Sequence, residues 1–266
     1  MRWISSCLIV AALLLSGCLQ KTPVASIKDA ENIRRTTDGR VFVTGGDGLF
    51  EIRRNESGSF DAIFVATSEQ GCSYHAGLAE LHDWLFFVCA RQTELSLREL
   101  NFIDSGALLA YSLRDDCRAV ESSLPDGCVV PITDLSGYQF PNGLDALVTE
   151  DAILLADEEF LRGRGGISKV KIDFSAGIPV LADYQHHWLN ADHGVYAANA
   201  VRVVDGNIYL TDVGFFKRVK LNVDGSPSRA KILFRSETFL DDFDVTCNGF
   251  LIADFVRGRL VYVPKE

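Results

Sequence analysis

The chain is poor in basic residues, and this shortage excludes one large class of partners. It carries 26 Lys and Arg against 36 Asp and Glu, a formal net charge of −10. Proteins that bind nucleic acid need a basic face to neutralise phosphates. We therefore expect no nucleic-acid partner. A cationic ligand or a divalent metal fits the acidic balance better.

Long hydrophobic runs and amphipathic helices are also scarce. Beyond the N-terminus, no stretch reaches the roughly 20 apolar residues that a transmembrane helix needs. The best candidate for an amphipathic helix is the short segment Leu95–Phe102. With helices this rare and a hydrophobic share of 47%, the chain must build its core from strands.

No CxxC or Cys/His spacing in the chain suggests a zinc site. Cys117 and Cys128 bracket a short polar loop, and Cys72 and Cys89 flank a predicted hairpin. Both pairs could form disulfides, but four cysteines allow three connectivities and the sequence does not choose among them. Cys247 alternates with Phe243 and Val245, which predicts a buried free thiol.

The N-terminus has the form of an export signal. Arg2 precedes the apolar run 4–15, which is too short to span a bilayer and has the proportions of a signal peptide. The run ends in Leu15-Ser16-Gly17-Cys18, which resembles the lipobox of bacterial lipoproteins. An ordinary signal peptide or an uncleaved anchor is the alternative.

The lipobox resemblance implies a specific organisation of the chain. It implies cleavage before Cys18, lipidation of Cys18 and a membrane-anchored protein of the bacterial envelope. The absence of aspartate at Leu19 favours the outer membrane, facing the periplasm. We expect residues 1–17 to be the signal peptide, residues 18–28 the lipidated tether and residues 29–266 a single domain.

The remainder shows short apolar runs separated by turn signals such as Asp38-Gly39, Asp205-Gly206 and Asn248-Gly249. This pattern is typical of an all-β protein. A unit of two strands recurs, in which a polar residue opens the first strand and a polar or small residue closes the second about 13 positions later. Five units begin near residues 31, 75, 142, 199 and 241. Their period is that of β-propeller blades.

The residues that open the first strand of each unit are the candidate site. In a propeller these positions converge on the central channel, because each blade contributes its innermost strand there. They are Glu31, His75, Asn142, Asn199, Asp241 and the adjacent Asp242. Carboxylates and amides are oxygen ligands of the kind Ca²⁺ prefers, and clustered carboxylates without a cation would repel each other. The set therefore predicts one Ca²⁺ in the channel.

Several of these motifs carry a family resemblance. Pro141-Asn142-Gly143-Leu144-Asp145 and Leu240-Asp241-Asp242-Phe243-Asp244-Val245 resemble strand openers of the senescence-marker-protein/gluconolactonase family and of paraoxonase-type arylesterases. The resemblance implies a six-bladed, calcium-containing propeller that hydrolyses lactones or esters. It implies Glu31, Asn142, Asn199, Asp241 and Asp242 as metal ligands, and Asp241 also as a nucleophile or base.

The chain departs from the paraoxonase pattern at two places. Arg91 stands where the catalytic histidine would fall, and Asn32 and Gly143 replace acids of a second, structural calcium site. His75 is the histidine predicted to face the channel, so we take it as a catalytic candidate beside Asp241. His186, His187 and His193 fall in a predicted loop, either at the channel mouth or without a role.

Two hypotheses follow from the sequence. The first is a lipid-anchored, calcium-dependent hydrolase acting on a small lactone or ester. The second is a non-catalytic propeller lipoprotein that binds a ligand or a protein partner, since propellers serve many functions.

Overall fold

A computed structural model describes residues 24–66, 72–92, 103–117, 128–159 and 163–265. Within these ranges the chain forms nineteen strands and three short 3₁₀ turns, which confirms the all-β prediction. The predicted signal peptide, Cys18 and the segment Leu95–Phe102 lie outside the described residues. Among the described residues, no helix is both long enough and apolar enough to cross a membrane.

The strands form five antiparallel sheets, which are the blades of a β-propeller. Blade 1 contains β1 (Ile33–Arg35), β2 (Val41–Gly45), β3 (Gly48–Arg54) and β4 (Phe60–Ala66). Blade 2 contains β5 (Tyr74–Leu81), β6 (Trp84–Gln92), β7 (Ile103–Ser112) and β8 (Val129–Asp134). Blade 3 contains β9 (Pro141–Leu147), β10 (Ala152–Asp157), β11 (Gly166–Asp173) and β12 (Val180–Leu189).

The last two blades differ in size. Blade 4 contains β13 (Ala198–Val204), β14 (Asn207–Asp212), β15 (Phe215–Lys220) and β16 (Lys231–Arg235). Blade 5 has three strands, β17 (Leu240–Val245), β18 (Gly249–Asp254) and β19 (Arg259–Pro264). The sequence count of five units, the last without an outer strand, is thus confirmed. The sixth blade implied by the family resemblance is not found in the ranges that the structure describes.

Burial explains why the inner strands read as apolar runs. In β6, every residue from Trp84 to Ala90 is buried, because both faces of the blade pack against neighbouring blades. Leu85 and Phe87 face blade 1 in one cluster, whereas Phe86 and Val88 face blade 3 in another. Alternate residues of one strand therefore contribute to two hydrophobic cores.

Strand pairing confirms the repeat read from the sequence. Pro141 pairs with Asp157, Ala198 with Asp212 and Leu240 with Asp254. Each unit therefore places the start of its first strand beside the end of its second. This geometry brings the openers to one end of the channel.

An aspartate closes the second strand in blades 3, 4 and 5, and it caps the preceding loop. In blade 4, Asp212 accepts hydrogen bonds from the backbone amides of Tyr196 and Ala197 and pairs with Lys217. Asp157 and Asp254 have the same position, with His187 and Arg259 as their partners. These buried carboxylates anchor the loops that lead into the inner strands.

The structure shows which cysteines are paired and which is free. Cys72 bonds to Cys89 and Cys117 to Cys128, as the spacing suggested. The prediction of a buried Cys247 is wrong, because this free thiol is exposed. The strand alternation ends at Val245, so Cys247 lies in the turn between β17 and β18.

The sequence predicted that three histidines lie in one loop, and this prediction is wrong for two of them. His186 and His187 lie within β12, and His193 lies in a 3₁₀ turn. His187 has a positive φ of 44° and sits where β11 and β12 change register. Its ring binds Asp157 with Nε2 at 3.0 Å from Oδ2, so it belongs to the capping system of blade 3.

Candidate metal centre

A cavity of about 360 Å³ opens at the end of the channel where the inner strands begin. Polar side chains line its interior, and apolar side chains form its border. Its lining residues are Glu31, Phe140, Asn142, Glu158, Asn199, Phe239, Leu240, Asp241, Phe255 and Val256. None of them is a lysine, arginine or histidine, so in the described part of the chain the cavity wall carries only negative and neutral groups.

Four of the six predicted site residues meet in this cavity. Asn142 and Asn199 are buried, Asp241 is partly buried, and Glu31 lies at the solvent-exposed edge. They come from four blades, as expected for strand openers. Two glycines permit this convergence. A Cβ on Gly143 would lie 2.6 Å from the carbonyl oxygen of Asn199, and one on Gly77 would lie 2.4 Å from that of Asn142.

Glu158 is a fifth cavity residue that sequence reasoning missed. It follows Asp157 directly after β10, and its Oε2 accepts a hydrogen bond from Asn199 Nδ2 at 2.9 Å. The predicted site residues open the first strand of a unit, whereas Glu158 follows the end of a second strand. The acidic triplet Asp157-Glu158-Glu159 was the signal that could have found it.

The three carboxylates of the cavity perturb one another. Burial raises the pKa of Glu158 to about 7, and the nearby Asp241 adds to this effect against the opposing hydrogen bond from Asn199. Partial burial, Asp241 and Asp29 raise the pKa of Glu31 to about 7. Burial and the neighbouring Asp242 raise the pKa of Asp241. Each group is harder to ionise mainly because burial separates it from water, and the neighbouring carboxylates add to this effect.

Tyr74 is a second residue that the sequence analysis missed. Its side chain is buried and stacks on Phe140, with ring centroids 5.1 Å apart. Its hydroxyl has no hydrogen-bond partner among the described residues. Burial raises its pKa well above the usual value, and the fields of Glu31, Glu158 and Asp241 contribute to the rise. Tyr74 is not among the residues that line the cavity, so its hydroxyl lies in the packing behind Phe140.

Asp242 is not among the cavity-lining residues, although it follows Asp241. Both of its carboxylate oxygens lie 2.9 Å from Arg202 Nη2, and Oδ2 accepts from Asn32 Nδ2 at 3.1 Å. Asn32 Oδ1 in turn accepts from the Gly77 amide at 2.6 Å. Together they form a polar layer of paired groups linking blades 1, 2, 4 and 5.

His75 also lies outside the cavity lining. It is fully buried, its ring stacks near Phe87, and Nδ1 lies 3.3 Å from the Gly46 carbonyl oxygen. Burial lowers its pKa, which favours the neutral imidazole. The structure therefore places His75 in the packing between blades 1 and 2.

A larger, open depression lies on the opposite rim. It has a volume of about 910 Å³ and includes Arg34, Glu80, His82 and Asp83. Its charged groups are already paired in part, since Arg34 Nη1 lies 3.3 Å from Asp145 and Glu80 accepts two hydrogen bonds from the Thr37 amide. Its charged groups are therefore less available to a ligand than the carboxylates of the channel cavity.

The donor set of the cavity fits a hard divalent cation. Glu31, Glu158 and Asp241 offer carboxylate oxygens, and Asn142 and Asn199 offer amide oxygens. Ca²⁺ takes 6–8 oxygen ligands, some of which are waters. A cation would also favour the ionised form of the three carboxyls, whose pKa values burial and neighbouring charges raise.

Comparisons with known proteins support the fold. No protein-family model matches the chain, and no curated protein matches it by sequence. Among solved structures, a gluconolactonase from Xanthomonas campestris is similar over 88% of this chain and 71% of its own, with a TM-score of 0.59 and 11% identity. A luciferin-regenerating enzyme is similar over 86% of this chain and 71% of its own, with a TM-score of 0.60 and 12% identity.

A chain from a nidogen/laminin complex is similar to the same extent. It covers 91% of this chain and 75% of its own, with a TM-score of 0.57 and 11% identity. These identities are low, so the similarities establish a shared β-propeller architecture and leave the chemistry to the residues of the cavity.

Proposed function

We propose that this protein is a calcium-dependent hydrolase of lactones or esters, anchored to the bacterial envelope through a lipid on Cys18. The observation that carries the proposal is the cavity itself. Three carboxylates and two amides converge there from several blades, with no basic side chain in the lining.

We assign Glu31, Asn142, Asn199 and Asp241 as ligands, together with Glu158, which the sequence analysis did not include. When bound, Ca²⁺ would polarise a substrate carbonyl as a Lewis acid. Asp242 is not part of this ligand set, because its carboxylate pairs with Arg202.

The protein's own side chains would complete the site. Asp241 or Glu158 would accept a proton from the water that attacks the carbonyl carbon, as a general base. Phe140 and Phe239 would hold the apolar part of the substrate and exclude bulk water, since both line the cavity.

Two of the structural neighbours are enzymes, a gluconolactonase and a luciferin-regenerating enzyme, and this supports the proposal of a hydrolase. The alternative, a propeller that binds a partner without catalysis, has its own precedent in the nidogen/laminin complex. The apolar border and the uncompensated carboxylates favour the hydrolase.

The first test is calcium binding by the intact protein, measured by calorimetry after chelation, followed by hydrolysis assays with lactones and aryl esters. We expect one bound ion and calcium-dependent turnover. A binding stoichiometry of zero in folded protein would contradict the calcium site and the hydrolase together. Binding without turnover of any lactone or ester would favour the non-catalytic alternative.

The pH dependence of stability gives a second test. Glu31 and Glu158 have a usual pKa of 4.5, raised to about 7 in the fold. Without metal, the folded protein therefore binds more protons than the unfolded chain between these values, so stability falls as pH rises from about 4.5 to about 7. Calcium competes with these protons, so its affinity should increase over the same range.

Thermal unfolding in a chelator should thus show a lower Tm at pH 7.5 than at pH 5, and added Ca²⁺ should reverse the loss. The Glu158→Gln variant serves as the control, because removing one raised carboxyl should flatten the pH dependence. A metal-free Tm that rises over this interval in the wild type, and equally in the variant, would contradict the assignment.

A further inference from the structure

The rim that bears the cavity also bears exposed apolar side chains. Phe255 and Val256 occupy the turn between β18 and β19 and are 72% and 59% exposed. Phe239, in the neighbouring turn, is 41% exposed. These three residues, called the apolar lip below, all line the cavity next to Asp241. Turn tips usually carry polar residues, so adjacent exposed apolar groups at a cavity indicate an interaction surface.

The N-terminal segment of the described chain runs along the same rim. The Gly46 amide donates to the Lys28 carbonyl at 2.9 Å, and the Glu31 amide donates to the Thr44 carbonyl at 2.9 Å. Glu31 then lines the cavity. The chain therefore enters the propeller at the cavity rim, beside the turn between β2 and β3.

The distance to the predicted anchor is short. Cys18 precedes Val24, where the described chain begins, by six residues, which span at most about 22 Å when fully extended. The blade strands separate the two rims by roughly 20 Å, at about 3.3 Å per residue. A lipid on Cys18 therefore keeps the point where the chain enters the propeller, at the cavity rim, within reach of the bilayer.

Two arginines lie beside the apolar lip, and each is paired with an acid. Arg257 follows Val256 in the same turn and pairs with Glu237, and Arg259 pairs with Asp254. These pairs leave no net charge beside the lip, so its apolar side chains are what the surface offers to a membrane interface.

From this placement we propose that the apolar lip docks onto the lipid bilayer, so that the cavity opens toward the membrane and receives amphiphilic esters or lactones from it. This inference rests on the proposed function, because it uses both the lipid on Cys18 and the hydrolytic cavity. The apolar lip would enter the interface, and the carboxylates behind it would receive the polar ester group.

The exposed thiol of Cys247 allows the orientation to be measured. It lies in the turn between β17 and β18, at the end of β17 remote from Asp241. The lipidated, full-length protein would be placed in phosphatidylethanolamine/phosphatidylglycerol vesicles that contain a lipid with a nitroxide near its headgroup. A fluorophore on Cys247 reports the remote rim. In a second protein, Cys247→Ser with Val256→Cys, the fluorophore reports the apolar lip.

We expect at least twofold quenching of the fluorophore at position 256 and none at position 247. Equal intensities at the two positions, or quenching at position 247 alone, would overturn the proposed orientation. Circular dichroism of both labelled proteins would show that they share one fold. As a second readout, long-chain esters in vesicles should be hydrolysed faster than short, soluble esters of the same leaving group.

Failure of the anchor and failure of the orientation are distinguishable. Mass analysis of the N-terminal peptide shows whether Cys18 is acylated. An unmodified Cys18 in protein that leaves the vesicles would overturn the anchor and this inference, while calcium-dependent turnover of soluble esters would still support the hydrolase. An acylated Cys18 with no quenching at position 256 would overturn the orientation alone.

Discussion

Replacing Asp241 with Asn is expected to abolish calcium binding at micromolar concentrations and to lower hydrolysis by about 10²–10⁴-fold, the usual contribution of a general base. Asp241 is the carboxylate of the cavity that contributes to the raised pKa of both Glu31 and Glu158. It is therefore central to the negative cluster. The variant keeps the shape of the side chain and removes its charge.

The same variant should leave the metal-free fold intact or stabilise it. The loss of one charge relieves repulsion among carboxylates whose pKa values are already raised. Saturating calcium should stabilise the wild type by about 2.7 kcal/mol at 100 times the dissociation constant, which raises Tm by about 5–10 °C for a domain of this size. This calcium-induced rise should be absent in Asp241→Asn.

Asp244→Asn is the matched control, because Asp244 lies on the same strand, is exposed, and accepts its hydrogen bond from the Val245 amide. Its calcium affinity and turnover should equal those of the wild type. If both variants lost activity equally, the loss would come from the net charge of the protein. If Asp241→Asn retained calcium binding, the ligand assignment would be wrong.

The sequence was sufficient for the fold because the repeat has a direct physical signal. The end of each second strand pairs with the start of its first strand, as at Ala198 and Asp212, so a constant spacing between polar residues marks each blade. The sequence also predicted which side chains meet, because the geometry of the channel makes the strand openers converge. These are Glu31, Asn142, Asn199 and Asp241.

What the sequence could not show depends on side-chain direction. Asp241 and Asp242 are adjacent, yet one lines the cavity and the other pairs with Arg202, because successive strand residues point in different directions. His75 has the repeat position of an opener, but the packing of blades 1 and 2 buries it against Phe87. Glu158 and Tyr74 lie outside the opener positions, so a search by repeat position passes over them.

Asp212→Ala should have the largest effect on stability, a loss of about 3–5 kcal/mol, because removing one partner of a buried ion pair leaves the other charge uncompensated. Asp212 and Lys217 are 1% and 4% exposed, and Lys217 Nζ also donates to the Gly194 carbonyl at 2.8 Å. The substitution would also strip the Tyr196 and Ala197 amides of their acceptor. Unfolding in urea measures the loss as a lower midpoint at constant slope.

The exposed pair of Asp205 and Lys265 provides the comparison for this loss. Its groups are 4.0 Å apart, Asp205 is 85% exposed, and its φ is +50°, a backbone conformation that Asn tolerates better than Ala does. Asp205→Asn, which removes the charge and keeps the shape, should therefore change stability by less than about 0.5 kcal/mol. The loop that Asp212 caps leads directly into β13 and Asn199. Asp212→Ala should therefore also weaken calcium binding, although Asp212 does not line the cavity. An Asp212→Ala variant as stable as Asp205→Asn would show that the capping aspartates do not hold the blades. The loop before Asn199 would then be positioned by the hydrophobic core alone.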